Sequence, residues 1–566
     1  MSSHLPQSVT PFMDWSAEQL QPVYDELRAR PLTAESVDQW LADWSHLTAL
    51  LDERSSRLYV ANTLDTTDEA AEKALYHYLE NIRPFAAAED QKLKQKLLES
   101  GLEPAGLAVP LQQMRADAAR FRQENLPLFT EEAKLGTNYN KIIGGQTVTW
   151  HGQEYTLTQL RPLFNTPDRA ARAQIWQSIA DRQLADRAAI NDNWTKLLQL
   201  RHQMATQADF ADYRDFAWQA KHRFAYSPDD ALTFLQAIEK VVVPAATRVY
   251  ERYRQRLGLD VLRPWDISGD AYLLAFNDER VFQDGIELAT KASAVLHQVD
   301  GELGQRFDIM RQESLLDLDN RKGKAPGGYC TNYPVSQRPF IFMNSVGMEG
   351  DVRTMLHEAG HAFHDFELYN LPYVWQRNIG MEIAEVASMS MELLSFPYLG
   401  QELGGFFDDE RVKTYKRTQM EQIILFWPYM AIVDGFQHWA YTHPDAAANP
   451  ANCDAAWSDL WDRYLPAIDF SGLEAVKATG WQRKLHIHRA PFYYIEYGLA
   501  QVGAVHVWRN ALQNQAQAVQ RYRQALALGC TADLRELFAA AGATFSFDEQ
   551  AMQDVVNLLE TQLANV

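Results

Sequence analysis

The stretch 351–366, DVRTMLHEAGHAFHDF, constrains this chain more than any other part of its sequence. It contains the pattern H-E-x-x-H, formed by His357, Glu358 and His361. Apolar residues recur through it at helical spacing and it contains no proline, so the stretch predicts an α-helix. Because each helical residue turns by about 100°, both imidazoles lie on nearly the same face and can reach one tetrahedral ion. The stretch therefore predicts two metal ligands, with Glu358 beside them as a general base.

So short a pattern also arises by chance, and on its own it is only a hypothesis. His364 continues the same helical face, but a third histidine on one helix is more often a packed residue than a ligand, because ligands must surround the ion. The extended metzincin form requires Gly at position 364 and His at position 367, where this chain has His364 and Glu367. That type of metalloprotease is therefore excluded.

The third ligand has to come from another part of the chain. The run GMEIAEVASMSMELLSF, which follows Gly380, predicts a second helix. Glu385 and Glu392 share one face of it, and Glu382 lies about 60° away. Helical geometry leaves all three glutamates open as ligands or as partners of the ligands.

Composition limits the classes of protein that the chain can belong to. With 566 residues, of which 46% are hydrophobic and 22% charged, it predicts a globular protein with two or more lobes. No apolar run approaches the ~18 to 20 residues that a membrane helix needs, and the N-terminal stretch does not resemble a secretory signal. We expect a cytoplasmic protein without a membrane partner.

Charge and cysteine content narrow the partners further. The 53 basic and 74 acidic residues give a net charge of −21, and no basic block stands out, so nucleic acid is not an expected partner. The three cysteines are widely spaced and form no C-x-x-C pair, which argues against disulfides and against a thiolate zinc site. Any metal has to be held by histidines and carboxylates.

The order of sequence patterns along the chain suggests three regions. Amphipathic helices fill residues 1–125 and indicate a helical scaffold. Residues 126–200 include QTVTWHGQEYTL, whose period-two alternation around His151 and Gly152 predicts a hairpin within a second lobe. Residues 201–566 contain the metal motif and are predicted to be the catalytic domain.

A short strand is predicted at 339–344, PFIFMN, just ahead of the metal helix. Its unpaired backbone groups could bind an extended peptide by strand addition. A purely structural edge strand is an equally good interpretation.

Several separated motifs together resemble those of a known family. HEAGHAFHDF followed by EVAS, with GKAPGGYC and PFIFMN upstream, is similar to the M3 family of zinc peptidases related to thimet oligopeptidase, and within it to the oligoendopeptidase F branch. The resemblance covers about residues 140 to 510 and is strongest at 321–392 and 486–500. It implies that Glu385 is the third ligand of one zinc ion per chain.

The same resemblance directs attention to HIHRAPFYYIEYGLAQ, residues 486–501. Family members have there a histidine and two tyrosines that match His488, Tyr493 and Tyr497, with His486 nearby but not at the matched position. Donors of this kind stabilise the oxyanion of peptide hydrolysis. Some family members have a further tyrosine where this chain has Ala500, so that contact is absent or replaced.

The resemblance implies a mostly α, two-lobed metallopeptidase with a small β element beside the zinc helix and a deep central substrate channel. In this interpretation Glu358 activates a zinc-bound water, and the enzyme is an endopeptidase that hydrolyses short, unfolded oligopeptides. Two alternatives stay open: a zinc exopeptidase of the carboxypeptidase type, and a non-catalytic peptide-binding protein of the same fold. An intact Glu358 argues against the second alternative, because a binding protein needs no base beside the metal.

Overall fold

A computed structural model describes residues 5–164, 166–267 and 280–566, and these residues are mostly helical. The helices before residue 268 are α1 (Ala17–Ala29), α2 (Val37–Leu64), α3 (Glu69–His77), α4 (Arg83–Ser100), α5 (Ala108–Arg120), α6 (Leu126–Gly144), α7 (Arg169–Ala185), α8 (Arg187–Gln207), α9 (Tyr213–Ala220), α10 (Pro228–Ala237) and α11 (Val243–Arg256). Those after residue 279 are α12 (Gly285–Val299), α13 (Gly301–Gln312), α14 (Glu349–Leu368), α15 (Met381–Leu394), α16 (Asp409–Thr442), α17 (Pro444–Ala447), α18 (Pro450–Tyr464), α19 (Glu474–Ala478), α20 (Leu485–Arg489), α21 (Tyr494–Gln513), α22 (Gln515–Leu528), α23 (Leu534–Ala540) and α24 (Glu549–Ala564). The mostly α prediction is confirmed.

The described strands form two small sheets. They are β1 (Thr147–Trp150), β2 (Gln153–Thr156), β3 (Leu316–Asp319), β4 (Tyr329–Tyr333) and β5 (Arg338–Ser345). The antiparallel pair β1 and β2 is the predicted hairpin, and its turn residues His151 and Gly152 have φ of 48° and 80°. Positive φ at both central residues gives the turn the right twist for a two-residue hairpin, so this prediction is confirmed.

The chain folds into two compact units, and each is assembled from separate segments. Within the described residues, the first unit contains 5–118, 280–413 and 500–545, and the second contains 119–267, 414–499 and 546–566. The predicted boundaries at 125 and 200 concern stretches of sequence and stay a prediction. No helix in the described part of the chain is both long enough and apolar enough to cross a bilayer.

The N-terminal helices of the first unit pack around buried tryptophans. Trp40 and Trp44 on α2 are fully buried, and their ring centroids lie 5.0 Å apart. Each indole N–H still has an acceptor: Trp40 Nε1 donates to the Leu27 carbonyl and Trp44 Nε1 donates to Asp90 Oδ1, both at 2.8 Å. Aromatic burial with satisfied N–H groups stabilises this helical scaffold.

The second sheet lies beside α14 in the first unit, with strand order β3-β5-β4. Strand β5, predicted at 339–344, pairs in parallel with β3 and antiparallel with β4. The prediction that this strand offers unpaired backbone groups to a peptide is therefore wrong, because hydrogen bonds to its neighbours occupy both of its sides. The edge strands of this sheet are β3 and β4, so the alternative of a structural edge strand at 339–344 is wrong as well.

Helix α14 packs closely against α15 because Gly360 has no side chain. A Cβ at Gly360 would lie 2.6 Å from the Ala387 carbonyl oxygen and 2.6 Å from Ser388 Cα. Helix α22 of the last segment also contacts α15, where the Tyr522 hydroxyl donates to the same Ala387 carbonyl at 2.9 Å. Glycine at 360 thus costs some helix propensity but permits the close approach of the two helices.

Candidate active site

The start of α14 is fixed by Asp351. Its Oδ2 accepts hydrogen bonds from the backbone N–H groups of Val346, Gly347 and Met348, at 2.8 to 2.9 Å. These contacts tie the loop that precedes the helix to its first turn, and the carboxylate complements the helix dipole there. The helix therefore enters the site from a fixed position.

Three predicted ligands come together between α14 and α15. Glu385 Oε2 lies 3.4 Å from His357 Nε2 and 3.8 Å from His361 Nε2. All three ligand atoms lie within 4.8 Å of one another. Ligands about 2.0 to 2.2 Å from a tetrahedral ion lie roughly 3.3 to 3.6 Å apart, so the donor set fits a zinc ion.

Further groups hold these ligands in place. His357 Nδ1–H donates to Glu392 Oε1 at 2.7 Å, which directs Nε2 toward Glu385, and Arg353 pairs with the other oxygen of Glu392 at 2.9 Å. The Ser388 hydroxyl donates to Glu385 Oε2 at 3.0 Å. Partners of this kind orient a ligand and tune its basicity.

Sequence reasoning kept Glu392 open as such a partner but missed Ser388 and Arg353. Their spacing in the sequence could have indicated both residues, since Ser388 lies three residues after Glu385 and Arg353 lies four residues before His357. Residues at these separations are neighbours on a helix surface.

The carboxylates determine the protonation of the two imidazoles. Burial lowers the pKa of His357, but hydrogen bonds to Glu385 and Glu392 outweigh burial and raise that pKa to about 10. Burial and the neighbouring His357 cation lower the pKa of His361 to about 4. Without a metal, His357 is therefore a cation and His361 is neutral. A metal ion bound between the ligands would replace the extra proton of His357.

Glu358 is 7% exposed and is not one of the three clustered ligands. Burial raises its pKa to about 7, while the His357 charge and a hydrogen bond from the Cys330 backbone on β4 partly oppose the shift. A carboxylate with a pKa near neutrality can both accept and return a proton. His364 is 2% exposed, and neither of its ring nitrogens has a hydrogen-bond partner in the described structure, which places it in the packed interior.

The second unit contains the remaining predicted residues, and it separates the two histidines of the HIH run. His486 and His488 lie two residues apart on the short helix α20, so they point about 200° apart. His488 is fully buried: its ring stacks on Tyr139 at 4.2 Å and lies near Trp194 and Trp481. Burial lowers its pKa to about 3, as suits a neutral core residue.

His486 lies instead among the tyrosines. Its ring centroid is 5.9 Å from that of Tyr493, 4.7 Å from Tyr494 and 6.4 Å from Tyr497. The hydroxyls of Tyr493 and Tyr497 are 3.4 Å apart, and the side chains are partly exposed. The structure thus brings Tyr493 and Tyr497 together with His486, whereas the predicted His488 faces the core.

Comparison with known proteins extends over most of the chain. Residues 163–556 match Peptidase family M3, and residues 10–105 match the Peptidase M3 N-terminal domain. The chain is 24% identical over 258 residues to an oligoendopeptidase F homolog of Borreliella burgdorferi, covering 44% of this chain and 41% of the relative. It is 23% identical over 371 residues to the plasmid oligoendopeptidase F of Lactococcus lactis subsp. cremoris, covering 61% of this chain and 58% of the relative. The chain thus spans less than two thirds of the length of these relatives.

Two solved structures extend the comparison to the fold. The sequence of PZ peptidase A, solved with inhibitor 2, is 25% identical to this chain. The superposition of the two structures covers 100% of this chain and 99% of that one, with a TM-score of 0.84. The oligoendopeptidase-F of Enterococcus faecium, at 14% identity, covers 99% of this chain and 98% of its own with a TM-score of 0.62. The second likeness concerns the fold alone.

Proposed function

Because the chain belongs to peptidase family M3, we propose that it is a zinc-dependent endopeptidase that hydrolyses short, unfolded oligopeptides. One observation carries the proposal: the ligand atoms of two imidazoles and a carboxylate lie close enough together to share one zinc ion, beside a buried glutamate whose pKa is raised to about 7. That combination is typical of metal-assisted hydrolysis.

We propose that His357, His361 and Glu385 hold one zinc ion. When bound, zinc would supply Lewis-acid activation of water and of the scissile carbonyl. Glu358 accepts the proton of the attacking water at its carboxylate and then delivers it to the leaving amine nitrogen. Glu392 holds the Nδ1 proton of His357 and so keeps Nε2 free for the ion.

The role predicted for His488 is better supported for His486. The hydroxyls of Tyr493 and Tyr497 and the imidazole of His486 would donate hydrogen bonds to the negatively charged oxygen of the tetrahedral intermediate. Their mutual contacts and partial exposure support this role, whereas a fully buried His488 has no free surface from which to reach a substrate.

Metal analysis combined with product analysis tests the proposal. We expect about one zinc per chain in the purified protein and internal cleavage of an extended peptide that is acetylated at its N-terminus and amidated at its C-terminus. Cleavage of only the unblocked form of this peptide, next to a free terminus, would favour the exopeptidase alternative. Binding without cleavage would favour the peptide-binding alternative. The same peptide sequence placed inside a stably folded domain should be cleaved far more slowly, because unfolding costs about 5 to 15 kcal/mol. The predicted channel and the cytoplasmic location stay predictions.

A further inference from the structure

A strained turn at residues 490–493 joins α20 to the helix of the tyrosines, α21, in the second unit. Within it, Phe492 has φ of 59°, a left-handed conformation that a bulky residue rarely adopts. The Phe492 ring is fully buried, and its centroid lies 5.5 Å from that of Trp218, 5.3 Å from His438 and 5.5 Å from Tyr441. A backbone in this conformation persists only where the surrounding structure holds it in place.

Two buried side chains bond to the two backbone polar groups of Phe492. The side-chain oxygen of Gln437, on α16, accepts a hydrogen bond from the Phe492 N–H at 2.8 Å. The amide nitrogen of Gln437 donates to the Val433 carbonyl at 3.0 Å, which fixes the direction in which its oxygen points. On the carbonyl side, Arg223 Nη2 donates to the Phe492 oxygen. Gln437 is fully buried and the Arg223 side chain is 1% exposed, so water does not compete for these bonds.

Arg223 also holds the first turn of α21. Its Nη2 donates to Glu496 Oε1 at 2.6 Å, and Lys221 Nζ lies 3.5 Å from the same oxygen. Lys221 Nζ is also 5.0 Å from the centroid of the Tyr493 ring, within the range of a cation–π contact. Charge-assisted bonds between buried groups are strong and have a narrow geometry. One short segment, 221–223, therefore contacts the strained turn, the Tyr493 ring and the start of α21.

On the premise that the chain is a zinc peptidase, we propose that Arg223 and Gln437 are positioning residues that hold the Phe492 turn and thereby fix the hydroxyls of Tyr493 and Tyr497. Tyr493 follows Phe492 directly, and Tyr497 lies about one helical turn further along α21. Their hydroxyls are 3.4 Å apart, so a change in the backbone angles of Phe492 would move both.

Two variants release the turn in different ways. Gln437→Met keeps the length of the side chain but removes the acceptor of the Phe492 N–H. Arg223→Met combined with Glu496→Leu removes the donor to the Phe492 carbonyl together with the partner carboxylate, so that no lone charge is left buried. In each, the amides of residues 490–497 should exchange with deuterium about tenfold faster or more, measured by mass spectrometry on the full-length protein. For a blocked peptide, kcat should fall about tenfold with KM changed by less than about twofold, because donors out of place weaken only the transition state. Zinc content should stay that of the parent protein.

A double variant and a control separate positioning from a general loss of stability. In the Tyr493→Phe background, Gln437→Met should lower kcat by a smaller factor than in the parent protein, because one hydroxyl that the turn positions is already gone. Glu421→Gln is the matched control, since this carboxylate is also buried on α16 but pairs with Arg252 of α11 at 3.0 Å. It weakens a different buried pair of the same unit, so kcat and the exchange at 490–497 should not change.

Four results overturn the positioning role. They are unchanged exchange at 490–497 in both variants, unchanged kcat despite faster exchange, losses of kcat that multiply with that of Tyr493→Phe, and equal losses in Glu421→Gln. Should either variant not fold, Arg223→Lys replaces it, because lysine keeps a charge for Glu496 but lacks the forked donors, and it should show a smaller loss of the same kind. A parent protein that hydrolyses no peptide would reject the proposed function, whereas an active parent whose variants keep their kcat rejects only the role of Arg223 and Gln437.

Discussion

Two clusters of side chains are built in different ways. The metal cluster of the first unit contains the proposed ligands His357, His361 and Glu385, and the tyrosine cluster of the second unit contains His486, Tyr493 and Tyr497. His357 and His361 lie on one uninterrupted helix, and Glu385 lies on the helix packed against it. In contrast, His486 lies on a helix of five residues, and a turn in which Phe492 has φ of 59° separates that helix from Tyr493 and Tyr497. Spacing in the sequence predicts geometry only where the backbone is regular.

This difference explains why spacing in the sequence does not show which histidine of the HIH run lies beside the tyrosines. Both have nearly the same separation from the tyrosines along the chain. Only the packing of α20 shows that His488 faces Tyr139 and Trp481, whereas His486 faces the tyrosine cluster.

The largest effect is expected in the metal cluster. His357→Ala should lose both stoichiometric zinc and activity, because it removes a ligand. Glu358→Gln should keep the zinc and lower kcat by about 10² to 10⁴, because an amide cannot accept the proton of water. Zinc content by mass spectrometry and steady-state kinetics measure the two effects. Loss of zinc in Glu358→Gln would mean that this residue is a ligand.

The two histidines of the second unit should separate catalysis from stability. His486→Phe keeps an aromatic ring but removes the donor, so kcat should fall by about 10 to 100-fold with little change in stability. His488→Ala removes a ring from a packed aromatic core, and the free energy of unfolding should fall by about 2 to 4 kcal/mol. Urea unfolding and peptide hydrolysis measure both variants. A stable His488→Ala variant with a strongly reduced kcat would instead support the oxyanion role that the family resemblance implies for His488.

Tyr493→Phe tests the hydroxyl itself. We expect kcat to fall by about 10-fold or more with KM nearly unchanged, since the hydroxyl acts on the transition state. Tyr494→Phe serves as the control, because its ring carries the Lys484 ammonium at 3.5 Å and the proposal gives its hydroxyl no role. Equal losses in both variants would indicate a general packing effect.

Glu392→Gln tests how much the hydrogen bond to His357 contributes to zinc affinity. The amide holds His357 less firmly, so zinc affinity should fall by about 10 to 100-fold. Competition with a chelator measures that affinity independently of activity. Arg353→Gln should have a smaller effect, since its exposed side chain pairs with Glu392, which in turn holds His357. Unchanged affinity in both would show that Glu385 and the helices alone position the site.

The smallest effect concerns Lys484, next to the tyrosine cluster. Burial lowers its pKa from the usual 10.5 to about 7. Between these two values the unfolded chain binds more protons, so this lysine lowers stability below about pH 7 and the loss is relieved as pH rises toward 10.5. Lys484→Met should therefore be more stable than the parent protein by about 1 to 3 kcal/mol at low pH, and the gain should shrink at high pH. Urea unfolding at several pH values measures this, with exposed Lys196→Met as the control that shows no such trend.

Local sequence patterns predicted much of the fold. Helices α14 and α15 and the β1–β2 hairpin follow from periodicity and turn residues, and each lies where the sequence predicts it. The sequence did not reveal that β5 is a central strand, because strand order depends on pairing with β3, some 20 residues earlier in the chain. The combination of distant segments into two units also has no local signal, since it depends on contacts such as the one between Tyr522 and Ala387.

That last contact has a consequence for how the protein is made. Ribosomes release a chain from its N-terminus, so both helices with the proposed zinc ligands emerge long before α22. Tyr522 and Gln515 of α22 donate hydrogen bonds to the carbonyls of Ala387 and Leu394 on α15. A growing chain that stops before residue 515 would contain every predicted zinc ligand but not the helix that supports them. During synthesis, the two helices with the proposed zinc ligands would therefore lack the support of α22 until nearly all of the chain has been translated.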